Sequence, residues 1–166
     1  DIYKIRDFIL NFIIDNNIHS NDVAILGDKI SFLRNLDFEI RRKSNEDTIS
    51  AFETKEEYDR LKEKYDGLKK EPSNRNESFK IILERCRRAK KVGFWLNTGT
   101  IKVSTIHSFK GWEIHTLFLL IDENSTAELI YTGITRAIQN IIVINLNCPN
   151  FTDFFKENMN IDFNVI

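Results

Sequence analysis

Two short runs hold most of the chemistry-bearing residues of this 166-residue chain. The first is Thr105-Ile-His-Ser-Phe-Lys-Gly-Trp-Glu113, at the end of the β-rich stretch Ile101-Lys-Val-Ser-Thr-Ile106. It gathers hydroxyls at Thr105 and Ser108, an imidazole at His107, an ammonium at Lys110 and a carboxylate at Glu113. Ligands of open α/β sheets bind outside the carboxyl ends of strands, and Gly111 lets backbone approach closely. A lone histidine after a strand is more often structural than functional, yet the cluster as a unit favours a ligand site. The second run is Tyr131-Thr-Gly-Ile-Thr-Arg-Ala137. Its Arg136 is the one cation of the run. Taken alone, the plainer reading of Arg136 is a surface ion pair.

These runs need elements to hold them. Ile2, Ile5, Ile9, Phe12 and Ile13 recur at helical spacing, and Asn16-Asn17 ends that helix. Asp22 to Leu26 reads as a short strand closed by Gly27-Asp28. Ile30 to Leu36 reads as a short helix and Phe38 to Arg41 as an alternating strand, a rhythm that predicts a parallel sheet. Ser44 to Asp47 is polar and loop-like. Thr54-Lys-Glu-Glu57 is a capping box, opening a helix with Tyr58, Leu61, Tyr65 and Leu68 on one stripe, supported by the Glu56–Arg60 pair. Gly67, Pro72 and Ser73 break it. A second helix runs from about Asn76 to Lys91, with Phe79, Ile82, Leu83 and Cys86 on its apolar face. The α/β rhythm returns with strands at Ile101–Ile106 and Thr116–Ile121, the latter continuously apolar as in a strand covered on both faces. A helix near Ala127–Gln139, a strand at Ile141–Asn145 and a short final helix complete the expectation. The predicted fold is a parallel α/β sheet flanked by helices, one domain over residues 1–166, with a helical hairpin inserted at 44–92.

The two runs resemble motifs V and VI of the UvrD/Rep-like superfamily 1 DNA helicases. The first matches every fixed position of the family's T-x-H-x-x-K-G-x-E, and the second its G-x-T-R-A, with Tyr131 also in place. The resemblance implies the second, C-terminal RecA-like motor domain. It implies that Thr105 and His107, with Ser108 beside them, face single-stranded DNA, and that Gly111 and Glu113 serve ATP, Glu113 through the ribose. It implies that Arg136 is the catalytic arginine finger. ATP would be the cofactor, with Mg²⁺ held by residues of an N-terminal RecA-like domain, the partner of this one. The likeness is good from Ile101 to Leu146 and weaker over Asp22–Leu36. There the family places an arginine just after the strand, where this chain has Gly27, Asp28 and Lys29; Lys29 or Arg34 could substitute. Trp112 stands where the family is usually apolar and reads as a packing residue. Lys110 before Gly111 leans towards the UvrD-like branch and 3′→5′ movement.

Leu119-Leu-Ile-Asp-Glu123 imitates a Walker B strand, but the chain contains no G-x-x-x-x-G-K-[ST], so strand-end acids capping the next element are the better reading. The basic run Arg85, Arg87, Arg88, Lys90 and Lys91 complements a helix dipole, with a phosphate contact as the alternative. The net charge of −1 is not that of an autonomous nucleic-acid binder, although a motor half making few backbone contacts escapes that objection. Cys86 and Cys148 give neither a metal-ligand spacing nor a disulfide framework. No membrane-spanning run or signal peptide is visible, and the expected location is a reducing cytoplasm. Met159 is the only methionine, which reads as a fragment of a longer protein. Two rival functions remain: the motor part of a helicase-nuclease, and a non-catalytic RecA-like binding module.

Overall fold

The computed structural model describes residues 1–44, 46–68, 78–146 and 148–158. The first helix, α1 (Ile2–Asp15), starts on the Asp1 carboxylate, which accepts the Tyr3 amide. It closes through Asn17 at φ 51°, the left-handed position that asparagine tolerates at a helix end. Strand β1 (Val23–Gly27), helix α2 (Ile30–Lys43) and the three-residue strand β2 (Thr48–Ser50) follow. Then come helices α3 (Lys55–Leu68) and α4 (Phe79–Val92), strands β3 (Ile101–Thr105) and β4 (Ile114–Asp122), helix α5 (Ala127–Ile134), strand β5 (Ala137–Leu146) and helix α6 (Thr152–Asn158). The strands form one parallel sheet in the order β2-β3-β1-β4-β5, with helices on both faces. This is an α/β architecture, a parallel sheet flanked by helices as expected.

Strand periodicity sorts the core into two layers, because successive side chains point to opposite faces. Val23 and Ile25 of β1, with Phe118 and Leu120 of β4, pack under α1 and α2 against Ile9, Ile13, Leu33, Leu36 and Ile40. Ala24 and Leu26, with Leu117, Leu119 and Ile121, face the opposite layer, where Phe94, Ile106, Phe109, Leu129, Ile130 and Phe155 cover them. The continuous apolar run in β4 is therefore buried on both sides, as its sequence predicts.

Two expected elements are corrected. Phe38–Arg41 is not a strand but the last turns of α2. Leu33, Leu36, Asp37 and Ile40 are buried at i, i+3, i+4, i+7, and four alternating residues cannot outweigh that period. The strand that completes the unit is β2, beyond the polar loop. The helix expected to reach Gln139 ends at Ile134, and β5 begins at Ala137. The Thr135 hydroxyl and the Arg136 guanidinium both turn back to the Thr132 carbonyl, which closes the helix.

The capping box is present: the Thr54 amide donates to Glu57 Oε2 (2.8 Å) and the Glu57 amide to Thr54 Oγ1 (3.3 Å). Gly67 lies within α3; Pro72, Ser73 and Asn76 fall outside the described residues, as does the Leu68 side chain. Helices α3 and α4 meet through Phe79, whose ring lies 5.6 Å from Tyr58 and 5.3 Å from Tyr65. Residues 44–92 thus hold an edge strand of the sheet as well as the helical pair. Among the described residues no helix is long and apolar enough to cross a membrane.

Candidate functional site

The loop after β3 is fixed at two points. The Ile106 amide donates to the Gly27 carbonyl of β1 (3.0 Å), and Phe109 is fully buried against Phe94, ring edge to face at 6.2 Å. Between these anchors runs the single 3-10 turn His107–Phe109. Thr105 caps it: its Oγ1 accepts the Ser108 amide (3.2 Å) and donates to Ser108 Oγ (2.9 Å). His107 and Lys110 are lifted into solvent and Ser108 is partly exposed. Burying Ile106 and Phe109 is what aims His107 outward.

Gly111 turns the chain at φ +91°, a conformation that L side chains rarely adopt. A Cβ there would meet nothing within 4 Å. Within the domain the glycine is thus required by its dihedral. Trp112 packs against the second-layer cluster, in keeping with its reading as a packing residue. Glu113 is exposed and leads into β4.

Arg136 stands at the entry to β5. Its main-chain carbonyl accepts the Ile114 amide (2.9 Å), joining the starts of the two strands. One step further the pairing slips: Ile114 faces Ala137 and Thr116 faces Asn140, so β5 carries one extra residue. Such bulges re-aim side chains beside functional sites. The guanidinium bonds to the Thr132 carbonyl (Nε, 3.2 Å), the Thr135 hydroxyl (Nη2, 2.9 Å) and, at longer range, the Trp112 carbonyl (Nη1, 3.4 Å). All three partners are neutral. Three of the five guanidinium N–H groups are used, so the cation is oriented, and among the described residues no carboxylate pairs with it. The surface ion pair that the sequence allowed for is not formed with any of these partners.

Register divides the residues into two groups. Thr105 pairs with Gly27, and Leu26 with Leu119, which sets Thr105 level with Leu120. Ile114 lies six residues back from Leu120 along β4, roughly 20 Å at the strand rise of about 3.3 Å per residue. Thr105, His107 and Ser108 therefore occupy the carboxyl end of the sheet. Glu113 and Arg136 come together at the amino end, and the segment through Gly111 connects the two.

The remaining candidates are engaged elsewhere. Lys29 pairs with Asp122 (3.0 Å). Burial pushes the Asp122 carboxyl up, but the Lys29 ammonium and the Asn124 amide outweigh it and hold it below the usual carboxylate range. Asp122 Oδ1 accepts the Asn124 amide (2.8 Å), so this acid caps the turn after β4. Arg34 is buried, bonded to Glu53 (2.7 Å) and stacked 3.7 Å from the Tyr58 ring centroid. In the basic run, Arg87 holds Glu53 and Lys90 holds Glu57, each at 2.8 Å. Among the described residues no group of three or more His, Cys, Asp or Glu side chains could hold a metal ion.

Two residues escaped sequence reasoning. Lys102, in the middle of β3, is fully buried, its Nζ on the Asn21 carbonyl (2.7 Å) and Oδ1 (2.9 Å). Burial pushes its ammonium down to about 8. Nothing in Ile-Lys-Val signals this, since a single lysine in a strand normally marks a solvent face. Trp95 is the other; only its neighbourhood, not its type, marks it.

No family model and no curated protein matches the chain. Among solved structures, it is similar to the C-terminal domain of a possible DNA helicase from Lactobacillus plantarum WCFS1, at 12% identity and a TM-score of 0.48. The likeness covers 86% of this chain and 66% of that one. A likeness of that degree fixes neither a family nor an activity.

Proposed function

We propose that this chain is the second motor domain of an ATP-dependent DNA helicase of the UvrD/Rep-like kind, working with an N-terminal RecA-like domain. The observation that carries the reading is the state of Arg136: braced by three neutral acceptors, with no anionic partner among them and with N–H groups to spare. An arginine held in this way is ready for an anion from outside the domain. Its bond to the Trp112 carbonyl couples it to the segment that ends in Glu113. The exposed carboxylate of Glu113 suits a ribose hydroxyl. At the far end of the sheet, Thr105, Ser108 and His107 form a capped, outward-facing turn whose hydroxyls and imidazole suit a phosphodiester backbone, a contact indifferent to base sequence.

ATP is the nucleotide in this reading, and Mg²⁺ is held by the N-terminal domain. Arg136 stabilises the phosphoryl oxygens as charge develops on them. The Gly111 segment, anchored at Ile106 and Phe109, passes closure of the nucleotide cleft to the DNA-facing turn. The test is Arg136→Ala in the full-length protein. Turnover should fall by about 10³–10⁵, as when an arginine finger is removed from other phosphoryl-transfer enzymes, while single-stranded DNA affinity is kept. Near-normal kcat in that variant, or ATP hydrolysis by the isolated chain, would overturn the reading.

A further inference from the structure

The chain has two tryptophans, and they meet. The rings of Trp95 and Trp112 stand edge to face, centroids 6.4 Å apart and planes at 89°. Trp112 is partly buried against the second-layer cluster, whereas Trp95 leaves 62% of its surface in solvent. Both are tied to the turn His107–Phe109. The Trp112 amide donates to the Phe109 carbonyl (3.1 Å). Phe94, the residue before Trp95, packs its ring on that of Phe109 at 6.2 Å, and Leu96 after it packs against the same cluster. An open indole is thus held beside the turn that lifts His107 into solvent.

Trp95 is tied equally to α4. The Phe94 amide donates to the Lys91 carbonyl (3.3 Å), so the indole follows directly on the last turn of that helix. Two cations of α4 face inward, Arg87 on Glu53 and Lys90 on Glu57. Arg88 and Lys91 are exposed instead, and among the described residues neither pairs with a carboxylate. A cationic helix end, a π-face and the turn of Thr105, His107 and Ser108 are therefore joined by contacts: Lys91 to Phe94, Trp95 to Trp112, Trp112 to Phe109. Cations for phosphates and an aromatic platform for bases are what binds a single strand. A duplex keeps its bases stacked on one another and offers no such face.

We infer that Trp95, with Arg88 and Lys91, forms a second single-stranded nucleic-acid contact, which carries the strand from the His107 turn onto the helical insertion. The inference rests on the proposed DNA-facing role of that turn and extends it to a surface outside both sequence runs. Trp95 takes the face of a base, and Arg88 and Lys91 take phosphates beside it. Aromatic stacking is tolerant of base identity because every base has a π-face, so the surface supplies affinity rather than choice of sequence. Being held in place before the strand arrives, the indole loses little freedom on binding.

The experiment titrates full-length wild type, Trp95→Ala, Trp95→Phe and the double variant Arg88→Gln/Lys91→Gln with a labelled oligothymidylate, read by fluorescence anisotropy at several salt concentrations. An abasic oligonucleotide of equal length serves as the second probe. Trp95→Ala should weaken oligothymidylate binding about tenfold, the scale of one lost base–aromatic stack, and leave affinity for the abasic strand unchanged. Trp95→Phe should restore most of the loss. The double variant should weaken both strands. It should also lower the slope of log affinity against log salt by about 1.4, at about 0.7 per phosphate of a single strand. Wild-type affinity for oligothymidylate in Trp95→Ala would overturn the inference, as would an equal loss for both strands. So would a wild-type salt slope in the double variant. The DNA-facing turn is judged separately, by whether His107→Ala weakens both strands. Wild type that binds neither strand would overturn the inference together with the DNA-facing role of the turn.

Discussion

Arg34 and Arg136 are the same residue type in opposite circumstances. Arg34 lies where α2, α3 and α4 converge, bonded to the fully buried Glu53, which also takes both Nε and Nη2 of Arg87 at 2.8 Å. The Tyr58 ring covers its other face. The Arg34 charge is paired and one face of its guanidinium covered where the helical pair meets α2. Among the described residues Arg136 has only neutral partners, which leave its charge available. The sequence offered both for phosphate, Arg136 through the well-matched second run and Arg34, beside Lys29, as a substitute for the arginine that the family places after its strand. The difference lies wholly in what the fold brings to each: a carboxylate separated by 19 residues in one case, carbonyls and a hydroxyl in the other.

The largest effect that would break this contrast is on stability. Glu53→Gln leaves two guanidinium groups partly buried without their common anion. Removal of one partner from a buried pair costs about 3–5 kcal/mol, so chemical denaturation should show a loss of that order, with the helical pair loosened first. Arg136→Ala should change stability by less than about 0.5 kcal/mol, as surface substitutions usually do. Equal losses in the two variants would place Arg136 among the structural ion-holding residues.

How far the sequence carried can be judged from particular elements. β1 and β4 were legible because both faces are covered and their residues are almost wholly apolar. α2 was cut short because its buried face includes Arg34, Asp37 and Glu39, polar residues that interrupt an apolar stripe. β2 is an edge strand of three residues, two of them hydroxyl-bearing, too short to show a period. The start of β5 was hidden because Gln139 and Asn140 lie exposed at an edge. At the site, residue types and local turns were readable, whereas the division into two ends of the sheet was not. That division follows from pairing between strands distant in the chain, and local pattern holds no record of register.

A second prediction sharpens the comparison from the helix that presents Arg136. A Cβ at Gly133 would lie 2.7 Å from Leu119 Cδ1 and 3.2 Å from Cδ2. Leu119 is fully buried and cannot swing clear. Overpacking costs about 1–3 kcal/mol, against a helix-propensity gain of up to about 1 kcal/mol for alanine over glycine. Gly133→Ala should therefore be net destabilising by about 1 kcal/mol. It should also lift the turn carrying Thr132, whose carbonyl holds Arg136 Nε, so turnover per folded molecule should fall as well. Thermal denaturation together with kcat tests both halves. A stabilised variant with full turnover would show that α5 does not need to sit this close to β4.

The smallest effect concerns a cation that the fold buries without an anion on it. Lys102 bonds only to the neutral Asn21 oxygens, and burial is the main cause of its depressed ammonium pKa, with the more distant Asp22 charge opposing the shift. The sign follows from linkage. Between about 8 and the ordinary lysine value of 10.5, the unfolded chain still binds a proton that the folded chain has released, so stability rises with pH across that window. Below about pH 8 both states are protonated and the full burial penalty is present. One proton can move stability by no more than about 1.4 kcal/mol per pH unit, and other groups titrate in the same range. The informative quantity is therefore the difference from Lys102→Met. Denaturation midpoints of the two proteins, measured at intervals from pH 7 to pH 10.5, should run parallel at first. Wild type should then gain on the variant as pH rises. A gap that stays constant throughout would mean that Lys102 keeps its proton, with the Asn21 oxygens compensating for burial as fully as water does in the unfolded chain.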